Sequence, residues 1–233
     1  MKGGFLARMD KQAVIFDLDG VLVDSSRFHF DAWKRLSQEV AAKQPVTEAW
    51  FRRTFGQRNE EILLSLFQRE LTQEEVTAFA DRKEVLFRQL AHSRLKPLPG
   101  ARKLVEGLYQ AGFQLAVGTS TPPENLEMIL GELGLAQYFP VRITGTDVTH
   151  GKPDPEVFLQ AAKRLQVLPR QCVVIEDAEA GIDAALRAGM RCIGVAASQS
   201  AECLKHSDWI VNSLEEVTPE AIAQLLQAGF LDA

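Results

Sequence analysis

From about residue 99 onward, short β-rich runs alternate with helical stretches, and nothing else in the chain constrains its fold as much. The runs are Leu115–Gly118, Val141–Thr144, Cys172–Ile175, Cys192–Val195 and Trp209–Val211, and the helical stretches between and after them cover about 101–111, 122–133, 155–166, 179–188 and 215–228. Strand, helix and strand in repetition predict an α/β core, a doubly wound, Rossmann-like parallel sheet with helices on both faces. The run Ala13–Asp17 has the same composition and is expected to sit centrally in that sheet. In open sheets of this kind ligands bind beyond the carboxyl ends of the strands. The residues that directly follow each apolar run are therefore the candidates for chemistry.

Residues 26–94 break the alternation and read as consecutive helices. His29, Trp33, Leu36 and Val40 recur at helical spacing, and similar stripes run through about 58–70 and 73–92. The proline-rich segment Leu95–Gly100 reads as a stiff connector back to the core. The expected organisation is a catalytic core of 1–24 and 96–233, interrupted by an all-helical cap domain of 25–95. A length of 233 residues is enough for this arrangement, and the chain shows no internal repeat or low-complexity tract.

Composition narrows the partners. The net charge of −5, with no basic cluster, argues against nucleic acid, and no apolar run reaches the length of a membrane span. Met1–Gln12 lacks the apolar core and cleavage pattern of a signal peptide. The three cysteines Cys172, Cys192 and Cys203 are odd in number and lack metal spacing, so reduced thiols and a cytoplasmic location are expected. A monomer or weak dimer is the expected state. Because the chain is acidic overall, any anion site must be locally positive.

The apolar run Val14–Phe16 leads into Asp17-Leu18-Asp19-Gly20. Side chains two apart on a strand share a face, so Asp17 and Asp19 point the same way, and two carboxylates held that close need a cation or a shared proton. The second strand runs into Thr119-Ser120-Thr121. There Thr121 with Glu124 fits a capping box and Pro122 the first helical position, which leaves Thr119 to donate its hydroxyl to an anion. In Gly151-Lys152-Pro153-Asp154-Pro155, two prolines stiffen the loop around Lys152, and Asp154-Pro155 reads as a helix start. The strand Cys172–Ile175 ends in Glu176 and Asp177, carboxylates that would complete an oxygen-ligand set for Mg²⁺ with Asp17.

Together these motifs resemble the haloacid dehalogenase-type phosphotransferase superfamily, in the subgroup with a helical cap after the first strand. The resemblance implies roles by position. Asp17 would be the nucleophile and Asp19 the general acid and base, while Thr119 and Lys152 would hold the phosphoryl oxygens, with Ser120 a substrate-binding candidate beside them. Asp17, Asp177 and the backbone carbonyl of Asp19 would hold Mg²⁺, with Glu176 assisting. An acid at position 19 argues for phosphoryl transfer rather than dehalogenation, and the expected partner is a small phosphorylated metabolite.

Residues 16–36 look most like beta-phosphoglucomutase, with Asp24, Ser25, His29 and Trp33 matching its hinge and first cap helix. That resemblance implies a role for His29 in holding the general acid; a histidine on a buried helix face is the other reading. Two departures favour a phosphatase over a mutase. The Lys and Asn that grip a second phosphate in the mutase are replaced by Pro122 and Pro123, which offer no side-chain donor. The cap-loop Arg is shifted one residue to Arg58, a rotation of roughly 100° on a helix start. Arg58 and Arg88 remain substrate-binding candidates, and no cap Lys can be singled out for a Schiff base. The resulting expectation is a Mg²⁺-dependent phosphatase for a small metabolite such as a sugar phosphate, with a mutase and a non-catalytic phosphometabolite binder as alternatives. A two-state cap is expected, hinged at Asp24–Ser25 and Lys96–Pro99, whose closure would bring His29 and Arg58 over Asp17.

Overall fold

The computed structural model describes residues 11–54, 59–196 and 201–228. The chain divides into two compact units, Met1–Asp24 with Lys96–Ala233, and Ser25–Leu95.

The first unit is built on a six-stranded sheet of β1 (Ala13–Phe16), β2 (Gln114–Gly118), β3 (Val141–Ile143), β4 (Cys172–Glu176), β5 (Arg191–Val195) and β6 (Trp209–Val211). Every pairing is parallel and the spatial order is β3-β2-β1-β4-β5-β6, with β1 between β2 and β4. The change of direction at β1 is the switch point at which doubly wound sheets form their crevice. β1 is buried along its whole length, as a strand covered on both faces must be.

Period-two alternation divides the apolar residues between the faces. Ala13, Ile15, Ala116, Val174 and Cys192 join one buried cluster with Phe158, Ala161 and Leu165 of α7 (Glu156–Leu165) and Ile182, Ala184 and Ala185 of α8 (Glu179–Arg187). On β1 the alternate residues Val14 and Phe16 face the other way, and Phe16 packs edge-on to Phe139 at 5.6 Å. Helices α5 (Ala101–Gln110) and α9 (Pro219–Ala228) pack on β2 and β4, respectively. Helix α6 (Pro123–Glu132) follows β2. Sheet and helices meet closely at Gly118, where an added Cβ would stand 3.1 Å from Phe158 and 3.3 Å from Ile15.

The second unit is helical: α1 (Ser26–Glu39), α2 (Glu48–Thr54), α3 (Asn59–Phe67) and α4 (Gln73–Ala91). Helices α1 and α4 pack along each other. Thr72 starts α4 with a complete capping box, its hydroxyl accepting from Glu75 N–H while Glu75 accepts from Thr72 N–H. No helix among the described residues is long and apolar enough to cross a membrane.

Candidate active site

Sheet register assembles the first part of the site. Phe16 pairs with Val117 on one side and Ile175 on the other, so one residue further on Asp17 stands level with Gly118 and Glu176. Asp17 N–H donates to Ile175 C=O at 2.9 Å, extending the ladder by one step. The carboxylates of Asp17, Glu176 and Asp177 all offer an oxygen within 4.8 Å of the others, and all three residues are buried.

One cation sits among them. Lys152 Nζ donates to Asp17 Oδ1 at 2.6 Å and to Glu176 Oε1 at 2.6 Å, and it lies 5.0 Å from the centre of the Phe158 ring. The loop that delivers it is braced on both flanks. Asp154 Oδ1 accepts Glu156 N–H at the start of α7, and Glu156 Oε2 accepts the N–H groups of Thr149 and His150. The Lys152–Pro153 peptide is cis.

Two glycines are shaped to the carboxylates. Gly20 has φ +85°, and a Cβ there would fall 2.0 Å from Asp177 Oδ2, so the turn after Asp19 lies directly against that carboxylate. At Gly181, in the first turn of α8, a Cβ would fall 1.8 Å from Glu176 Oε1. Glu176 Oε2 is held by the N–H groups of Asp177 and Ala178 at 2.8 and 2.9 Å.

The electrostatics show what this arrangement lacks. Burial raises the Asp17 carboxyl well above its ordinary value, and Glu176 and Asp177 push the same way while Lys152 opposes them. Burial would lower the Lys152 ammonium, but the facing Asp17 and Glu176 carboxylates outweigh it and raise its pKa. Three buried carboxylates around one ammonium leave an excess of negative charge. A donor set made only of carboxylate oxygens fits a hard divalent cation such as Mg²⁺.

The second part of the site lies after β2. Thr119 N–H donates to Ile143 C=O at 3.0 Å, and its hydroxyl oxygen accepts Thr121 N–H at 3.2 Å. Ser120 is exposed next to it. The expected capping box at Thr121 and Glu124 does not form. The residue that caps α6 is Pro122, in extended backbone, and the helix begins at Pro123. Instead the Thr121 hydroxyl donates to Asp19 Oδ2 at 2.5 Å, across 102 residues of sequence. A Thr-x-x-Glu pattern was outcompeted by a carboxylate that the β1 turn brings within reach. Asp19 itself is half-buried.

In the helical unit, His29 is buried on α1 and stacks on Phe87 with ring centroids 4.0 Å apart. Its Nδ1 lies 2.8 Å from Lys83 Nζ. An ammonium can only donate, so Nδ1 accepts and the ring proton resides on Nε2. Lys83 also donates to Glu84 Oε1 at 2.9 Å, and Asn59 donates to the same oxygen at 2.8 Å. Burial would raise the Glu84 carboxyl, but the charge of Lys83 and the bonds from Asn59 and Lys83 hold it below its ordinary value. Sequence reading missed this network. The available signal was Lys83 in the stripe Val76, Ala80, Lys83, Phe87, where an apolar side chain is expected. Arg88 follows on α4, half-buried. Arg58 lies outside the described residues.

The model of the haloacid dehalogenase-like hydrolase family matches residues 11–189. The chain is 35% identical to the phosphorylated carbohydrates phosphatase of Thermotoga maritima over 88% of this chain and 99% of that protein. It is 34% identical to the beta-phosphoglucomutase of Bacillus subtilis over 91% and 93% of the two chains. The crystal structure of beta-phosphoglucomutase from Clostridium difficile superposes with a TM-score of 0.84 at 28% identity, covering 95% of this chain and 99% of that one. With the matched stretch running from the residues before β1 to the end of α8, through every carboxylate described above, this chain belongs to the haloacid dehalogenase-like hydrolase family.

Proposed function

We propose that this protein is a Mg²⁺-dependent phosphatase that hydrolyses small phosphorylated metabolites, in keeping with the carbohydrate phosphates named for its relatives, through a phosphoryl group carried on Asp17. The observation that carries this reading is the convergence of Asp17, Glu176, Asp177 and Lys152 at the ends of two adjacent strands. In this reading Asp17, Asp177 and the backbone carbonyl of Asp19 hold the metal, and Glu176 supports it through Lys152. When bound, the ion offsets the charge of the carboxylates and of the incoming phosphate.

The chemistry of the side chains then follows. Asp17 attacks phosphorus, the bond to the leaving oxygen breaks, and Asp19 gives that oxygen a proton. Asp19, now ionised, takes a proton from water, which attacks the same phosphorus and breaks its bond to Asp17. The products are the free alcohol and inorganic phosphate, and Asp19 ends with its proton restored. Lys152 and the Thr119 hydroxyl donate to phosphoryl oxygens through both displacements.

A phosphomutase is the second reading, favoured by the likeness to the Bacillus subtilis mutase. Against it stands the start of α6. Pro122 and Pro123 have neither an N–H nor a donor side chain, and the Thr121 hydroxyl is engaged with Asp19. A mutase must hold a second phosphate while its intermediate turns over, and this edge offers little to hold it.

The test is phosphate release from a panel of phosphorylated metabolites with Mg²⁺, alongside β-glucose 1-phosphate with a bisphosphate primer. The phosphatase reading expects stoichiometric inorganic phosphate, lost in Asp17→Asn. Rapid glucose 6-phosphate formation with little free phosphate would establish the mutase reading instead, and binding without turnover of any compound would remove both.

A further inference from the structure

The Thr121 hydroxyl is a fixed point in the site. Before it, Thr119 is tied to β3 through the bond to Ile143 C=O, and Thr121 N–H is tied back to Thr119 Oγ1. After it come two prolines, which restrict the backbone into α6. Ser120 between them is closely backed, since a Cβ at Gly145 would stand 2.8 Å from Ser120 C=O. The residue is buried, and its hydroxyl does not serve the helix it precedes. The hydroxyl instead reaches Asp19 Oδ2 at 2.5 Å.

Asp19 sits on the turn after β1, where a short Asp side chain can rotate about two torsions. A general acid must present its proton along one direction, and small misplacements of such a group cost rate steeply. We infer that Thr121 is a positioning residue for Asp19, holding the carboxyl plane ready for proton delivery to the leaving group and for activation of water. The role rests on the reading of Asp19 as general acid and base. A hydroxyl suits the task because it donates to one carboxyl oxygen both when the acid is ionised and when the other oxygen carries the proton.

The experiment compares kcat/KM of wild type, Thr121→Val, Thr121→Ser and Asp19→Asn with Mg²⁺ present. The substrates are aryl phosphates of graded leaving-group acidity, from dinitrophenyl to phenyl phosphate. A good leaving group departs without a proton, whereas a poor one needs the acid. General-acid groups contribute about 10²–10⁴-fold, so partial loss of alignment in Thr121→Val is expected to cost roughly 10–100-fold on phenyl phosphate. On dinitrophenyl phosphate the loss is expected to be no more than a few-fold, and Thr121→Ser should restore the wild-type dependence. An equal loss on all substrates, or no loss, overturns the inference if Asp19→Asn steepens the dependence. If Asp19→Asn leaves the dependence unchanged, the reading of Asp19 fails first and the inference falls with it. Should Thr121→Val not fold, Thr121→Ala is measured in the same way.

Discussion

Gly181→Ala sets two physical rules against each other, and the structure decides the sign. Position 181 lies inside α8, where alanine is ordinarily better than glycine by about 0.5–1 kcal/mol. Here the new Cβ would fall 1.8 Å from Glu176 Oε1 and 2.0 Å from its Cδ, whereas ordinary contact begins at 3.4 Å. The carboxylate would have to retreat by about 1.6 Å. That distance breaks the 2.6 Å bond from Lys152 and strains those from Asp177 N–H and Ala178 N–H. A hydrogen bond to a charged group is worth about 1.5–3 kcal/mol, so losing one or two outweighs the helix gain. The expected result is a net loss of about 2 kcal/mol, which lowers Tm by roughly 4–8 °C in a chain of this size. Because Lys152 loses a partner, kcat/KM should fall by about 100-fold. The control is Gly131→Ala in α6, where an added Cβ meets nothing within 4 Å and the helix gain stands alone. Urea denaturation and steady-state kinetics of both variants supply the readout. A Gly181→Ala protein as stable and active as Gly131→Ala would refute the reasoning.

Three other substitutions or treatments test separate parts of the account. Lys152→Met leaves three buried carboxylates without their cation, which is expected to cost about 3–5 kcal/mol in EDTA, with part of it recovered on adding Mg²⁺; thermal melts that do not respond to Mg²⁺ would count against the metal set. Lys83→Met strands Glu84 in the helical unit and should destabilise by about 3–5 kcal/mol at pH 7. Since Glu84 is held below its ordinary 4.5, its contribution in wild type is complete above pH 4.5 and drains as pH falls through the lowered value. In the variant burial is no longer opposed by Lys83 and raises the carboxyl, so the deficit at pH 7 should shrink as pH falls and the two stability–pH curves should converge; parallel curves would contradict this. Burial pushes the Cys172 thiol from 9.0 to about 12 and raises Cys192 as well, so native protein at pH 9 should be alkylated by iodoacetamide at the half-exposed Cys203 alone, as mass spectrometry of the peptides would reveal. The raised thiols also mean that stability falls as pH climbs from 9 toward 12.

The sheet was legible because its strands are short apolar runs that end abruptly in polar residues. Asp17, Thr119 and Glu176 mark those ends, and the expected strands differ from the observed ones by a residue or so. Shorter elements were harder. Helix α2 spans seven residues, too few to show a period. The stretch expected as helix from 215 begins with one tight turn at Leu214–Glu216, capped by Ser213, and α9 starts only at Pro219. Asp17, Lys152, Glu176 and Asp177 could be picked out one by one because each follows a strand or sits in a proline-stiffened loop. The partners of Thr121 and Lys83 could not. Thr121 carries a local pattern for capping that its real partner, 102 residues away, overrides. Lys83 is a charge, and charges are assigned to solvent unless a buried acid and histidine are known to face them.

The central claim is that Asp17 receives the phosphoryl group. Acid quench of the protein turning over a slow phosphate ester with Mg²⁺, followed by hydroxylamine treatment and peptide mass spectrometry, tests it directly. The account predicts a hydroxamate on Asp17, absent without substrate and absent in Asp17→Asn. Modification confined to a different carboxylate, or turnover by Asp17→Asn at the wild-type rate, would contradict it.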